Sequence, residues 1–391
     1  MIFVVIAQFL SALADNILLF LILGILKESQ APNWHIPMIQ QVFLMAFIIL
    51  APFVGAIADS IAKNRVMMAG NLLKLAGVIF LLAGGNAFIS YTIVGIGAAI
   101  YSPAKYGILK EITGEAFLVK ANALIEGSTI VAILTGVVLG GLLADFAVQQ
   151  GQFWLVIGLT ASIYALAAFS NIYIPKTPPE RPQPIQFLPL LRSFAQDFSL
   201  LWRDKTARIA LLGTGIFYGV GVTMRFLLVA WVPIALQITD NKTPAILNAM
   251  VAIGVVIGAG LASFIPLRYA KRAIFSGVGM GVLLSGLMLS QTLSASYFFL
   301  ICIGISGGVF LIPLNALLQR QGHRLIGGGR AVAIQNLIDN LAMLVLLALY
   351  IFLIKAGISV ISVGILFGLL TIALVSGITY YAYRHAKLLQ E

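Results

Sequence analysis

The side chains able to do chemistry in this sequence are few, and several interrupt long apolar runs: Asp15, Lys74, Lys105, Glu126, Arg225 and Asp339. An ionisable group at bilayer depth costs roughly 2.5–3.5 kcal/mol on insertion scales, so it is expected to be paired, buried in a bundle, or functional. Asp15 and Arg225 carry the clearest chemistry. Arginine grips a phosphate through a bidentate fork, and a carboxylate accepts an ammonium. The two can form a structural ion pair that locks two halves together, a site for a zwitterionic headgroup, or each in alternation, closed when empty and split by substrate. Lys105 and Glu126 lie toward the cytoplasmic ends of their spans and can pair. Lys105 can also snorkel to the interface or offer a second phosphate contact. Asn336 and Asn340 share one helix face, with Gln335 and Asp339 on a neighbouring one. Polar residues commonly hold membrane helices together, and Asp339 is the best functional candidate of the four. Lys74 has no role at this level.

Other chemistries are excluded. The chain has 391 residues, 61% hydrophobic and 9% charged, with a mean hydropathy of +1.04. A soluble domain carries about 25% charged residues. One cysteine (Cys302) and three scattered histidines (His35, His323, His385) argue against a disulfide scaffold and a structural metal site. The residues five positions after the histidines are Gln40, Gly328 and Gln390, so the His-x4-Asp pair of glycerolipid acyltransferases is absent. No Gly-Lys dipeptide occurs, which removes a Walker A loop. No enzyme, cofactor or metal is expected. The net charge of +11 points to basic loops at a membrane rather than to nucleic acid.

The elements that must position these residues are apolar runs long enough to cross a bilayer. Twelve are expected, near Ile2–Leu26, Ile36–Ala58, Val66–Leu82, Phe88–Ile108, Leu118–Ala144, Phe153–Ile174, Ala207–Gln237, Ala245–Leu267, Ala273–Leu293, Tyr297–Leu318, Ala331–Ile354 and Ser359–Tyr383. The first has no basic n-region and no small-residue cleavage site, so it reads as a true first helix. With the N-terminus inside, Lys27, Lys242 and Lys355 fall in outer loops, and Lys74, Lys105 and Arg225 fall within spans. The remaining eighteen of the 24 Lys and Arg fall in inner loops and the tail. Both termini are therefore expected in the cytoplasm.

Six of the 14 prolines lie in 175–189, a stiff linker. Phe187, Leu190, Leu191, Phe194, Phe198, Leu201 and Trp202 then recur at helical spacing, as in an amphipathic surface helix. The expected organisation is a six-helix bundle over 1–174, a cytoplasmic linker over 175–206 and a second six-helix bundle over 207–391. A shift of 210 residues places Gly97 on Gly307, Pro103 on Pro313, Lys110 on Arg320, Lys120 on Arg330 and Ala121 on Ala331. It also places Asp15 on Arg225 and Glu126 on Asn336. Duplicated halves of this kind are a transporter device. They would set Asp15 and Arg225 facing one another across a central cavity.

This all-α, six-plus-six pattern resembles the major facilitator superfamily. The loop Gly55-Ala-Ile-Ala-Asp59-Ser-Ile-Ala-Lys63-Asn-Arg65 is similar to the superfamily's loop motif. It departs at Ser60, where a basic residue is usual, and at Ala62, where glycine is usual. The resemblance makes Gly55, Asp59, Lys63 and Arg65 a gating loop in which Asp59 braces the outward-open state. A closer resemblance is to the bacterial lysophospholipid transporters. It is carried by Ala7–Ala12 with Asp15-Asn16, by Ala51–Gly55, Tyr101–Leu109, Asn171–Lys176, Arg225–Val229, Leu247–Gly254 and Pro313–Gln319. It implies a flippase that moves lysophosphatidylethanolamine and related lysophospholipids from the outer to the inner leaflet of the bacterial inner membrane, by alternating access with lateral entry. An acyltransferase–acyl-carrier-protein synthetase would then re-acylate them. It implies substrate contacts at Asp15 and Arg225; Asn16, Lys105, Glu126, Asn336, Asp339 and Asn340 complete the expected set. Phe9, Phe20, Phe217 and Tyr218 are expected as apolar lining. The alternative is a proton-coupled antiporter for drugs or small solutes, with Asp15, Glu126 or Asp339 carrying the proton.

Overall fold

Long apolar runs leave a backbone no partner but itself, and in a bilayer that means helices. The computed structural model describes residues 1–30, 35–180, 187–238, 242–270 and 272–384. Arg181, Pro182, Pro184, Lys271, His385 and Lys387, which entered the linker, charge and metal arguments, lie outside them. Among the described residues there are thirteen α-helices and no strand: α1 (Ile2–Glu28), α2 (His35–Ser60), α3 (Lys63–Leu82), α4 (Ala87–Thr113), α5 (Leu118–Gln150), α6 (Phe153–Ser170), α7 (Phe187–Arg203), α8 (Lys205–Ala235), α9 (Lys242–Ala262), α10 (Ser276–Met288), α11 (Leu293–Leu325), α12 (Gly328–Lys355) and α13 (Val360–Arg384). Ten are long and apolar enough to cross a membrane. Two shorter apolar helices, Ile246–Ala262 and Arg272–Met288, stand at the eighth and ninth expected spans. α7 is the amphipathic helix of the linker region.

Boundaries moved where polarity and helicity part company. The apolar reading ends one span at Leu318, yet α11 continues through Gln319–Leu325, because Gln and Arg are good helix formers. Pro103 and Pro313 sit inside α4 and α11, at corresponding positions of the 210-residue register. α5 and α12 begin at Leu118 and Gly328, again in that register.

The chain forms two compact units. Unit 1 comprises 1–114, 128–199 and 322–336; unit 2 comprises 115–127, 200–321 and 337–391. In unit 1, Leu18, Leu21 and Ile22 of α1 pack with Ile39, Val78, Val94, Val156 and Tyr164 in one buried cluster. Close crossings depend on glycine. A Cβ at Gly136 of α5 would lie 2.7 Å from Asn16 Cβ, and one at Gly140 would lie 3.0 Å from Phe20 Cβ. α3 and α4 meet where a Cβ at Gly70 would lie 2.8 Å from the Gly97 carbonyl. In unit 2, Gly254 and Gly258 of α9 cross Gly304 and Gly308 of α11 backbone to backbone. These are small-xxx-small contacts, the usual way of bringing membrane helices together.

Candidate functional site

Asp15 lies midway along α1, and its partner is Lys74 of α3. The ammonium donates to Asp15 Oδ2 at 2.7 Å, to Oδ1 at 2.9 Å and to Ser11 Oγ at 2.9 Å. Tyr164 of α6 donates its hydroxyl to Asp15 Oδ1 at 2.6 Å. Ser11 in turn donates to Asn71 Oδ1 at 2.8 Å. Asp15 and Ser11 share one face of α1, and Asn71 and Lys74 one face of α3, so two helices suffice to build the cluster. The rings of Tyr101 and Tyr164 lie 5.6 and 5.8 Å from the ammonium. Asn71 Nδ2 and the Tyr101 hydroxyl are buried without a hydrogen-bond partner. Within unit 1 the Asp15 carboxylate is held by Lys74, a partner the sequence did not announce. Both helices pack on α6, which supplies Tyr164.

The other expected residues fall as follows. Asn16 is half-buried and donates to the Ala12 carbonyl. Lys105 is buried, its ammonium 4.1 Å from the Tyr106 ring. Asn336 donates to Ser102 Oγ at 3.1 Å. In unit 2, Arg225 of α8 is exposed and, among the described residues of that unit, has no carboxylate at ion-pair distance. Glu126 is buried and accepts from Asn315 Nδ2. Asp339 is buried and accepts from Thr214 Oγ1 at 2.8 Å, and Asn340 is buried beside it. Asn122 and Gln319 exchange hydrogen bonds at 2.7 and 3.0 Å, a pair the sequence did not announce.

A second polar cluster, within unit 1, surrounds the loop after α2. Asp59 accepts from the Gly329 N–H at 2.7 Å and the Arg330 N–H at 3.1 Å, capping α12. A side chain at Gly327 would collide with this carboxylate, and its φ of 116° also requires glycine. Gly55 is equally constrained, since a Cβ there would lie 2.6 Å from Arg330 Cα. Lys63 bridges Asp59, Glu111 and Glu180. Arg65 is exposed. Glu180 also accepts from the Gly328 N–H and faces His323 Nδ1 at 2.9 Å, while His323 Nε2 lies 3.0 Å from the Gly107 carbonyl. Both histidine partners are acceptors, so the ring satisfies them together only as imidazolium. Burial pushes the Glu180 carboxyl up, but His323, the Gly328 N–H and Lys63 outweigh it and bring it down to about 2. Glu111, Glu180 and His323 are close enough to ligate a metal. The Lys63 ammonium, bonded to both carboxylates, already supplies the cation there. Arg330 donates to Asp197 of α7 at 3.0 Å, tying the linker helix to the same corner.

The family model of the Major Facilitator Superfamily matches residues 4–347. A protein of Enterobacter sp. (strain 638) named lysophospholipid transporter LplT is 50% identical over 380 residues, covering 97% of this chain and 94% of its own. One of Shigella boydii serotype 4 with the same name is 48% identical over 384 residues, covering 98% and 96%. This chain belongs to the lysophospholipid transporter family of the Major Facilitator Superfamily. The superfamily fold is also seen in solved structures. The Escherichia coli fucose:proton symporter FucP has a TM-score of 0.74 at 14% identity, covering 97% of each chain. A bacterial homologue of the iron transporter ferroportin has a TM-score of 0.72 at 16% identity, covering 97% and 98%.

Against this superfamily frame, reading the sequence missed Lys74, Tyr164, Glu180 and His323 as members of clusters. A signal existed for the first: Lys74 is the only basic residue inside the first three spans, which also hold Asp15. None existed for Glu180 and His323, which are 143 residues apart and meet only through folding.

Proposed function

We propose that this protein is a lysophospholipid flippase of the bacterial inner membrane, moving lysophosphatidylethanolamine and related lipids from the outer to the inner leaflet by alternating access with lateral entry. Both termini face the cytoplasm, where an acyltransferase–acyl-carrier-protein synthetase re-acylates the product. The observation that carries the reading is a fixed, partly exposed Asp15 carboxylate at mid-span, in a chain half identical to proteins named for lysophospholipid transport. Asp15 takes the ammonium of the headgroup. Arg225, exposed and without a carboxylate at ion-pair distance among the described residues of its unit, is the candidate for the phosphate. Glu126, Lys105, Asn16, Asn336, Asp339 and Asn340 are the further polar contacts of the path. The Asp59 cap on α12, with Gly55, Lys63 and Arg65, serves as a brace that is made and broken once per cycle.

The test is transport in liposomes. Fluorescent lysophosphatidylethanolamine is added to the outer leaflet of vesicles holding the pure protein and extracted with albumin over time. Wild type is expected to protect the lipid and Arg225→Ala to lose that protection while still inserting. No protection beyond empty vesicles, with or without a pH gradient, would overturn the lipid reading in favour of solute antiport.

A further inference from the structure

Asp15 and Lys74 form an unequal pair. The lysine side chain is 3% exposed and the aspartate side chain 19%. All three ammonium protons are committed, two to Asp15 and one to Ser11, so the lysine has no donor left for a ligand. The carboxylate differs. A carboxylate offers about four acceptor positions. Oδ1 receives Tyr164 and Lys74, and Oδ2 receives Lys74 alone. One position on Oδ2 stays open, on the member of the pair that is accessible. A lock between helices has no use for that asymmetry; a pair that presents one oxygen to a ligand does.

We propose that Lys74 is the positioning residue of the headgroup contact, holding the Asp15 carboxylate turned so that one oxygen is left for the substrate ammonium. The inference rests on Asp15 being that contact. Lys74 itself touches no lipid. Its stem is held by the α3–α4 crossing, where a Cβ at Gly97 would lie 2.8 Å from Lys74 Cγ. The groups facing Asp15 are Lys74 of α3, Tyr91 and Tyr101 of α4, Tyr164 of α6 and Ser11 of its own helix. Only Lys74 among them is cationic. Without it, Tyr164 alone bonds the carboxylate, at Oδ1, and nothing holds Oδ2 in place.

The experiment uses the full chain in proteoliposomes with fluorescent lysophosphatidylethanolamine. Lys74→Met is expected to slow flipping by about tenfold or more, because a carboxylate without its partner is no longer held with one oxygen toward the ligand. Lys74→Arg restores the charge and the donor and is expected to stay within roughly threefold of wild type. Asp15→Asn is expected to be inactive. Asp15→Asn with Lys74→Met removes both charges, which is close to neutral for folding, so it should unfold like wild type and still fail to flip. Lys74→Met with wild-type flipping, or with a loss not rescued by arginine, overturns the inference. If Lys74→Met does not insert, the Arg variant decides: a folded Lys74→Arg protein that does not flip overturns the inference, and one that flips supports it. Wild-type flipping by Asp15→Asn would instead overturn the headgroup reading itself.

Discussion

At the scale of single residues, the structure turns on which charges find partners. Asp15 has a lysine and a tyrosine; Asp59 has two backbone N–H groups at a helix start; Arg225 has no carboxylate at ion-pair distance among the described residues of its unit. Removing the Asp59 side chain leaves the start of α12 without its cap. Asp59→Ala is expected to lower stability by about 1–2 kcal/mol, read as the midpoint of unfolding in detergent, since the loss of an N-cap acceptor costs about that much. An unchanged midpoint would show that the cap contributes nothing. Glu180 makes a pH-dependent contribution of defined sign. Its carboxyl is lowered from 4.5 to about 2. A depressed carboxyl stabilises the fold above its ordinary range and loses that effect as the pH falls. The gap in unfolding midpoint between wild type and Glu180→Gln should therefore be constant at neutral pH and close as the pH is lowered from 4.5 toward 2. A gap that closes on going alkaline instead would contradict this assignment.

At the scale of elements, glycine spacing decides which helices can approach. Along α5, Gly136 and Gly140 press on α1, while Gly141 has nothing within 4 Å of a Cβ. Gly136→Ala is expected to cost about 1–3 kcal/mol by overpacking, and Gly141→Ala to be neutral or slightly stabilising, compared by thermal unfolding of the two purified variants. The crossing of α9 and α11 is tighter still, and Gly304→Leu should abolish folded protein by size-exclusion profile. Repeat and register were legible at this scale: the prolines of α4 and α11, and the starts of α5 and α12, obey the 210-residue shift. The helix ends were less legible, because hydropathy stops at the first polar residues while the hydrogen-bond ladder of α11 runs on through Gln319–Leu325.

At the scale of the whole molecule, the charge asymmetry of the loops makes an orientation claim that labelling can check. In a Cys302→Ser background, Ser29→Cys should react with an impermeant maleimide in intact cells, and Glu115→Cys only after the membrane is opened. The reverse pattern would invert the topology.

Apolar length settled that this chain is a polytopic helical protein, because bilayer thickness and backbone hydrogen bonding leave no other solution for such runs. The mid-span charges were equally visible, since any ionisable residue stands out in a sequence that is 9% charged. Which charge meets which was a different matter. Asp15 pairs with Lys74 across 59 positions, because α1 and α3 both pack on α6, and Glu180 of the segment after α6 meets His323 of α11 across 143. Partner choice in a low-dielectric interior depends on distances of a few ångströms, and only the packing of α1 and α3 on α6, with the path of the segment after α6, sets those distances.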